Sequence, residues 1–288
     1  YGECGKLSVA WTIFRQSKNL DIVAWNAMIS VFIQNDELYN ALEAFTIAPK
    51  RDSATWNTVI GGLAQNGHGN MALKLFLQMN LEGVKPNEST MVSILEACSV
   101  SKSLKEGEVI HASIIQMGYE KFPIVGNALI NMYANCGSLR AAQTTFDVME
   151  ERNLVSWNTM IGIKANNGMQ TSEIFQLFKQ MQDKNVKPDK VTVSIVVGAC
   201  SAICALEEGR EIHLKIKDGV LESDIFVEST LVNMYAKCGC LAEARTVFES
   251  MRLRNVVAWT VMITSYAQHD QGEEALILFR RMVSDGVK

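Results

Sequence analysis

The chain is predicted to be all-α, a solenoid of stacked helix-turn-helix units, on three observations. Blocks of sequence recur along its 288 residues, apolar positions inside each block follow a helical period, and glycine or proline closes the segments. Ala134-Asn135-Cys136-Gly137-Ser138-Leu139 returns as Ala236-Lys237-Cys238-Gly239-Cys240-Leu241. Cys98 and Cys200, His111 and His213, and Pro86 and Pro188 share the same offset of 102 residues. Inside that long period, Trp25-Asn26 recurs as Trp56-Asn57, Trp157-Asn158 and Trp259-Thr260.

With these anchors in register, units start at Ile22, Ser53, Glu88, Pro123, Leu154, Lys190, Ile225 and Val256, spaced 31, 35, 35, 31, 36, 35 and 31 residues apart. A partial unit, 1–21, precedes them. Its Tyr1-Gly2-Glu3-Cys4-Gly5-Lys6-Leu7 matches Tyr235-Ala236-Lys237-Cys238-Gly239-Cys240-Leu241. In the 225–255 unit, Leu231, Val232, Met234 and Tyr235 form one apolar stripe, and Gly239 breaks it. Leu241, Ala244, Val247, Phe248 and Met251 then recur at three- and four-residue spacing as a second helix. The 53–87 unit turns at Asn66-Gly67 and leaves through Gly83-Val84-Lys85-Pro86, where proline stops the helix. The 154–189 unit is one residue longer than its kind, with the extra length near Gln170-Thr171-Ser172. One such hairpin cannot bury its own apolar face, so neighbours must stack.

Composition narrows the function. An apolar content of 48% with only four prolines excludes a disordered chain. A net charge of −4 argues against binding to nucleic acid by bulk charge, so a polyanion would have to be gripped by a local groove. Seven cysteines dispersed over a long chain read as reduced, mostly buried thiols rather than a disulfide framework. The most apolar stretch, Val191 to Leu206, is too short and too polar for a membrane span. The chain begins at Tyr1 with no leader or signal core, which reads as a soluble piece of a longer protein.

The units resemble pentatricopeptide repeats. The resemblance rests on Val155-Ser156-Trp157-Asn158-Thr159-Met160-Ile161, on Leu177-Phe178 and Met181, and on the ending Val186-Lys187-Pro188-Asp189. The 31/35/35 alternation is similar to the plant-type PLS subclass, which mixes ordinary (P), long (L) and short (S) repeats. Asn131 to Gly137 and Asn233 to Gly239 resemble its S repeats; Glu106-Gly107 to His111 and Glu208-Gly209 to His213 resemble its L repeats. The order is then a partial S repeat (1–21), a short repeat (22–52), P (53–87), L (88–122), S (123–153), P (154–189), L (190–224), S (225–255) and a truncated P repeat (256–288). The resemblance implies a right-handed superhelix that binds single-stranded RNA, one base per repeat.

It further implies that the fifth and last residues of each repeat read the base. The pairs are Asn26 with Asp52, Asn57 with Asn87, Asn127 with Asn153, Asn158 with Asp189, and Ser229 with Asn255; Thr260 has no partner before the chain ends. Asn can both donate and accept, which suits a pyrimidine edge, whereas the short Ser and Thr hydroxyls suit a purine. The family's code then gives U, pyrimidine, any, pyrimidine, U, any, A, purine from 5′ to 3′. The L repeats present Val92 with Phe122, a spacer, and Ser194 with Asp224, unassigned. Second-position residues Val23, Ala54, Ile124, Val155, Phe226 and Val257 would sandwich the bases.

Each feature has a plainer structural reading. An Asn near a helix start is commonly a cap; its recurrence at one repeat position, with Asp or Asn closing the units, favours recognition. The four aligned tryptophans sit beside the code residue, about 100° around the helix, and are assigned to the core. Trp11 aligns with Arg245 and has no evident role. Lys85 and Lys187 suit either phosphate contact or simple solvation.

Catalytic motifs are missing. No His-x-Glu accompanies a Pro-Cys-x-x-Cys, so deaminase chemistry lies outside this sequence. Cys200 and Cys204, and Cys238 and Cys240, have no histidine at zinc-ligand spacing. Gly62 and Gly67 have the spacing of a phosphate loop, but His68-Gly69 follows in place of Lys-Ser/Thr. The expectation is therefore no enzyme, no cofactor and no metal. The expected partners are single-stranded organellar RNA and editing-factor proteins, with no DNA and no membrane. The implied setting is a mitochondrion or chloroplast, where similar proteins select cytidines for C-to-U editing. A protein-binding scaffold of tetratricopeptide type is the alternative, although that family keeps a constant period.

Overall fold

A computed structural model describes residues 7–17, 20–168, 171–216 and 224–287. The matches at Tyr1 to Lys6, and Gln170 in the lengthened turn, lie outside the described residues, as does the side chain of Thr171. The described residues form seventeen helices and no strand. They divide into two compact units, Tyr1–Arg152 and Asn153–Lys288.

The first unit holds α1 (Leu7–Gln16), α2 (Ile22–Gln34), α3 (Leu38–Ile47), α4 (Ser53–Gln65), α5 (Gly69–Leu81), α6 (Glu88–Ser101), α7 (Leu104–Met117), α8 (Pro123–Asn135) and α9 (Leu139–Val148). The second holds α10 (Leu154–Asn166), α11 (Thr171–Asp183), α12 (Lys190–Ile203), α13 (Leu206–Ile216), α14 (Ile225–Lys237), α15 (Leu241–Ser250), α16 (Val256–Gln268) and α17 (Gly272–Ser284).

Local sequence explains these bounds. Trp25, Met28, Ile29, Phe32 and Ile33 lie on one buried face of α2, three and four residues apart. At the turn between α4 and α5, Gly67 takes φ 83°, and the His68 N–H reaches back to the Leu63 carbonyl at 2.8 Å. That closes α4 with a left-handed residue that glycine adopts without strain. Gly137 and Gly239 repeat the device after α8 and α14.

Inside each unit the first helices of the hairpins stack in a row: α2, α4, α6, α8, and α10, α12, α14, α16. The second helices α3, α5, α7, α11, α13 and α15 each pack on the first helix of the next hairpin as well as on their own. No second helix makes comparable contact with the next second helix among the described residues. The first-helix layer is thus the tighter one, and its free surface is the inner face of each stack. This is the α-solenoid expected of a hairpin repeat.

Trp56, Trp157 and Trp259 are at most 1% exposed, and they fill the layer between hairpins. Trp56 meets Phe45 edge-on at 4.7 Å, and Trp259 meets Phe248 in the same way at 4.8 Å. Trp11, for which the repeat pattern suggests no role, stacks on Phe14 and meets Trp25 and Phe32 edge-on. It packs α1 against α2. Burial pushes the Cys98 and Cys200 thiols up to about 12, which keeps them protonated and inert.

Candidate nucleic-acid interface

The second residue of each first helix faces solvent, although it is apolar in most repeats. Val23, Ile124, Val155, Phe226 and Val257 are between 56% and 68% exposed, and Ala54 is exposed too. The fifth residue lies three positions on, on the same helix face. Asn26, Asn57 and Asn158 are half-buried, Asn127 and Ser229 buried, and Thr260 exposed. Each stack therefore presents a row in which an apolar platform sits beside a polar group.

The last residue of each repeat has two roles, because it is also the N-cap of the next helix. Asp52, Asn87, Asn153, Asp189 and Asn255 each accept the backbone N–H of the third helical residue on Oδ1, at 2.8–3.0 Å. Capping boxes close at Asp52, Asn87 and Asp189, each with a threonine at N3.

In three repeats the cap and the fifth residue are joined. The Asn57 amide donates to Asn87 Oδ1 at 3.0 Å, and the Thr90 hydroxyl donates to Asn57 Oδ1 at 2.6 Å. The Asn158 amide donates to Asp189 Oδ1 at 3.1 Å, and the Thr192 hydroxyl to Asn158 Oδ1 at 2.6 Å. The Ser229 hydroxyl lies 3.2 Å from Asn255 Oδ1. Asn26 and Asp52 have no such link among the described residues, and the Oδ1 atoms of Asn26 and Asn127 are buried without a hydrogen-bond partner. Such orphaned acceptors are costly unless something supplies a donor.

These bonds set the charge at the caps. The Thr55 backbone N–H, with its hydroxyl in support, outweighs desolvation and lowers the Asp52 carboxyl. Burial alone would raise Asp189; bonds from the Thr192 N–H, the Thr192 hydroxyl and the Asn158 amide together lower it. Both are carboxylates at neutral pH, acceptors only.

Three arginines that sequence motifs did not single out stand directly before caps and bond or cover the end of the preceding helix. Arg152 donates to the Phe146 and Asp147 carbonyls at 2.9 and 2.6 Å, and its guanidinium lies 4.8 Å over the Phe146 ring. Arg254 does the same with Phe248 and Glu249, with its guanidinium 5.0 Å over the Phe248 ring. Arg51 lies over Phe45 and Trp56. A signal does exist in the sequence: an arginine directly precedes the caps Asp52 and Asn255, and Arg152 precedes Asn153. Each satisfies or covers the end of one helix just before the next begins. Lys85 and Lys187 are exposed in the exit loops. At the first L repeat, Phe122 supplies no side-chain cap and Pro123 starts the helix instead.

Residues 51–99 and 152–202 match the PPR repeat family, and residues 23–47, 127–154, 229–256 and 257–287 match the PPR repeat. The chain is 36% identical over 271 residues to the Arabidopsis thaliana pentatricopeptide repeat-containing protein At5g27110, covering 93% of this chain and 39% of that protein. It is 35% identical over 270 residues to the chloroplastic At1g11290 protein of the same plant, covering 94% and 33%. Other relatives carry chloroplastic or mitochondrial in their names. The chain thus spans less than half the length of these two relatives. The fold matches the crystal structure of the pentatricopeptide repeat protein PPR10 from maize, with a TM-score of 0.78 and 21% identity over 98% of this chain and 42% of that one. PPR10 in complex with an 18-nt psaJ RNA element matches with a TM-score of 0.71 and 20% identity, over 98% and 43%. Most of the chain falls within matched repeats, and it belongs to the pentatricopeptide repeat family.

Proposed function

We propose that the chain binds single-stranded RNA sequence-specifically, one base per repeat, and selects sites for organellar C-to-U editing or RNA processing. The observation that carries this reading is the recurrent row on the inner face: an exposed apolar second residue, a polar fifth residue, and an Asp or Asn cap beside it. The RNA-bound PPR10 structure and the organellar names among the relatives support it. The division into P, L and S repeats, with boundaries at 22, 53, 88, 123, 154, 190, 225 and 256, belongs to the same proposal.

The bonding pattern gives the reading a chemistry. With Oδ1 engaged by the helix, Asp189 offers Oδ2, an acceptor, which matches the N3–H of uracil. Asn87 offers Nδ2, a donor, which matches the bare N3 of cytosine. Asn57 and Asn158 each keep one amide proton and one lone pair for the neighbouring carbonyl or amino group. Ser229 leaves room for a larger purine. The platforms Val23, Ala54, Ile124, Val155, Phe226 and Val257 take the base faces.

The expected target is U, pyrimidine, any, pyrimidine, U, any, A, purine. A gel-shift comparison tests it against the same RNA with purines and pyrimidines exchanged. A preference of about tenfold or more for the matched RNA supports the reading; equal binding overturns it.

A further inference from the structure

The first L repeat has no code pair, yet it holds the one acid on the corresponding row of the inner face. The ninth residues of the first helices are Ser30, Gly61, Glu96, Asn131, Gly162, Gly198, Asn233 and Thr264. All are small or polar and neutral except Glu96. Glu96 lies four residues after Val92, so both share one face of α6 and are about 6 Å apart along the helix.

Between α6 and α8 this face opens into a cleft of about 420 Å³, lined by Val92, Glu96, Ser99, Val100, Asn131 and Asn135 among others. That volume lies within the range of about 300–1,000 Å³ usual for small-ligand sites. Val92 forms an apolar lip. The Asn135 amide donates to the Ser99 hydroxyl at 2.7 Å and so stiffens the far wall. Glu96 is half-buried and has no hydrogen bond or ion pair among the described residues. Burial raises its pKa, as expected of a carboxylate that has lost water without gaining a partner.

Such a group in a groove that takes RNA repels phosphate, so its favourable partner is a base edge. A carboxylate accepts only, through two adjacent oxygens. Guanine alone presents two neighbouring donors, N1–H and the N2 amino group. Adenine and cytosine each pair one amino group with a bare ring nitrogen, and uracil flanks its single N–H with two carbonyls. As a purine, guanine also reaches further past the Val92 lip than a pyrimidine does. We infer that the 88–122 repeat reads guanine through Glu96 in this cleft. The third base of the target is then G instead of any base.

The inference rests on the RNA-binding reading, and the second L repeat gives an internal control. Its counterpart of Glu96 is Gly198, where an added Cβ meets nothing within 4 Å. The first atom of a glutamate side chain placed there by Gly198→Glu therefore enters open space.

Fluorescence anisotropy with eight-nucleotide RNAs carrying G, A, C or U at the third position tests the proposal. The wild-type chain should bind the G form about tenfold more tightly than the others. Glu96→Gln should abolish that preference while leaving discrimination at the first and fifth bases intact. Gly198→Glu should create a preference for G at the sixth base. If the four RNAs bind equally while the first and fifth bases are still discriminated, the guanine site is overturned and the RNA reading stands. The guanine site is overturned equally if a third-base preference survives Glu96→Gln. If no RNA of the set binds, the RNA reading fails and the guanine site with it.

Discussion

Thr192 ties Asn158 to Asp189: its hydroxyl donates to Asn158 Oδ1 at 2.6 Å, while its backbone N–H donates to Asp189 Oδ1 at 2.8 Å. One buried threonine thus caps the start of α12 and bonds two side chains of the preceding repeat. Thr90 holds Asn57 and Asn87 in the same geometry.

Replacing Thr192 with valine keeps the shape and removes the hydroxyl. The Asp189 N–H and Asn158 Oδ1 each lose a partner, so stability should fall by about 1–2 kcal/mol. Urea unfolding measures that loss. Anisotropy with the proposed RNA should show weaker discrimination at the fifth base, because Asn158 is no longer held.

Asp189→Asn separates capping from reading. Asparagine caps as well as aspartate, so stability should change by less than about 0.5 kcal/mol. The atom facing the base becomes a donor, and preference at the fifth base should move from U to C by about 1–3 kcal/mol. Competition binding between the two RNAs gives the answer; an unchanged preference would remove Asp189 from the reading.

Arg254→Ala deletes two bonds to helix-end carbonyls and the contact over Phe248. A loss of about 1–3 kcal/mol is expected from these contacts together. The thermal midpoint should drop, whereas Arg280→Ala, on an exposed side chain, should leave it nearly unchanged.

Acid should weaken the fold through a small set of carboxylates. Asp52 and Asp189 have lowered pKa values for the reasons given above. Glu249 is lowered as well: its desolvation is outweighed by the Arg281 hydrogen bond and by the charges of Arg245, Arg281 and Arg254. A depressed pKa contributes stability that is fully present above the unfolded values, 3.8 for Asp and 4.5 for Glu. It is lost as pH falls through the lower folded values. Stability should therefore decline as pH drops below 4.5, and the double variant Asp52→Asn/Asp189→Asn should decline less steeply. Unfolding curves across that range decide it.

Much of the fold was legible because the hairpins advertise themselves by period. The face Trp25, Met28, Ile29, Phe32 and Ile33 can be counted off the chain, and Gly67, Gly137 and Gly239 mark the turns. Side chains that bond to backbone were not legible in the same way. Arg152 and Arg254 act on carbonyls, which leave no pattern of residue types, and only the recurrence of arginine before a cap betrays them. Trp11 escaped because its partners, Trp25 and Phe32, lie on the next helix and no repeat position predicts it. In the candidate site the repeat register could be read from spacing, and the residue pairs followed from the family resemblance. Their threonine links could not be read in either way, because Thr90 and Thr192 belong to the following repeat and serve the previous one.

On the proposed RNA reading, the use of one residue both as helix cap and as base reader has an evolutionary consequence. Folding restricts that position to the few side chains that cap well, and these differ mainly in whether they donate or accept. A change from Asp to Asn is nearly silent for the helix and audible in the groove. Such an array can drift to a new target one letter at a time without passing through an unstable intermediate. Where Phe122 stands in place of a capping side chain, Pro123 starts the helix, and the proposed reading places that letter on Glu96 instead.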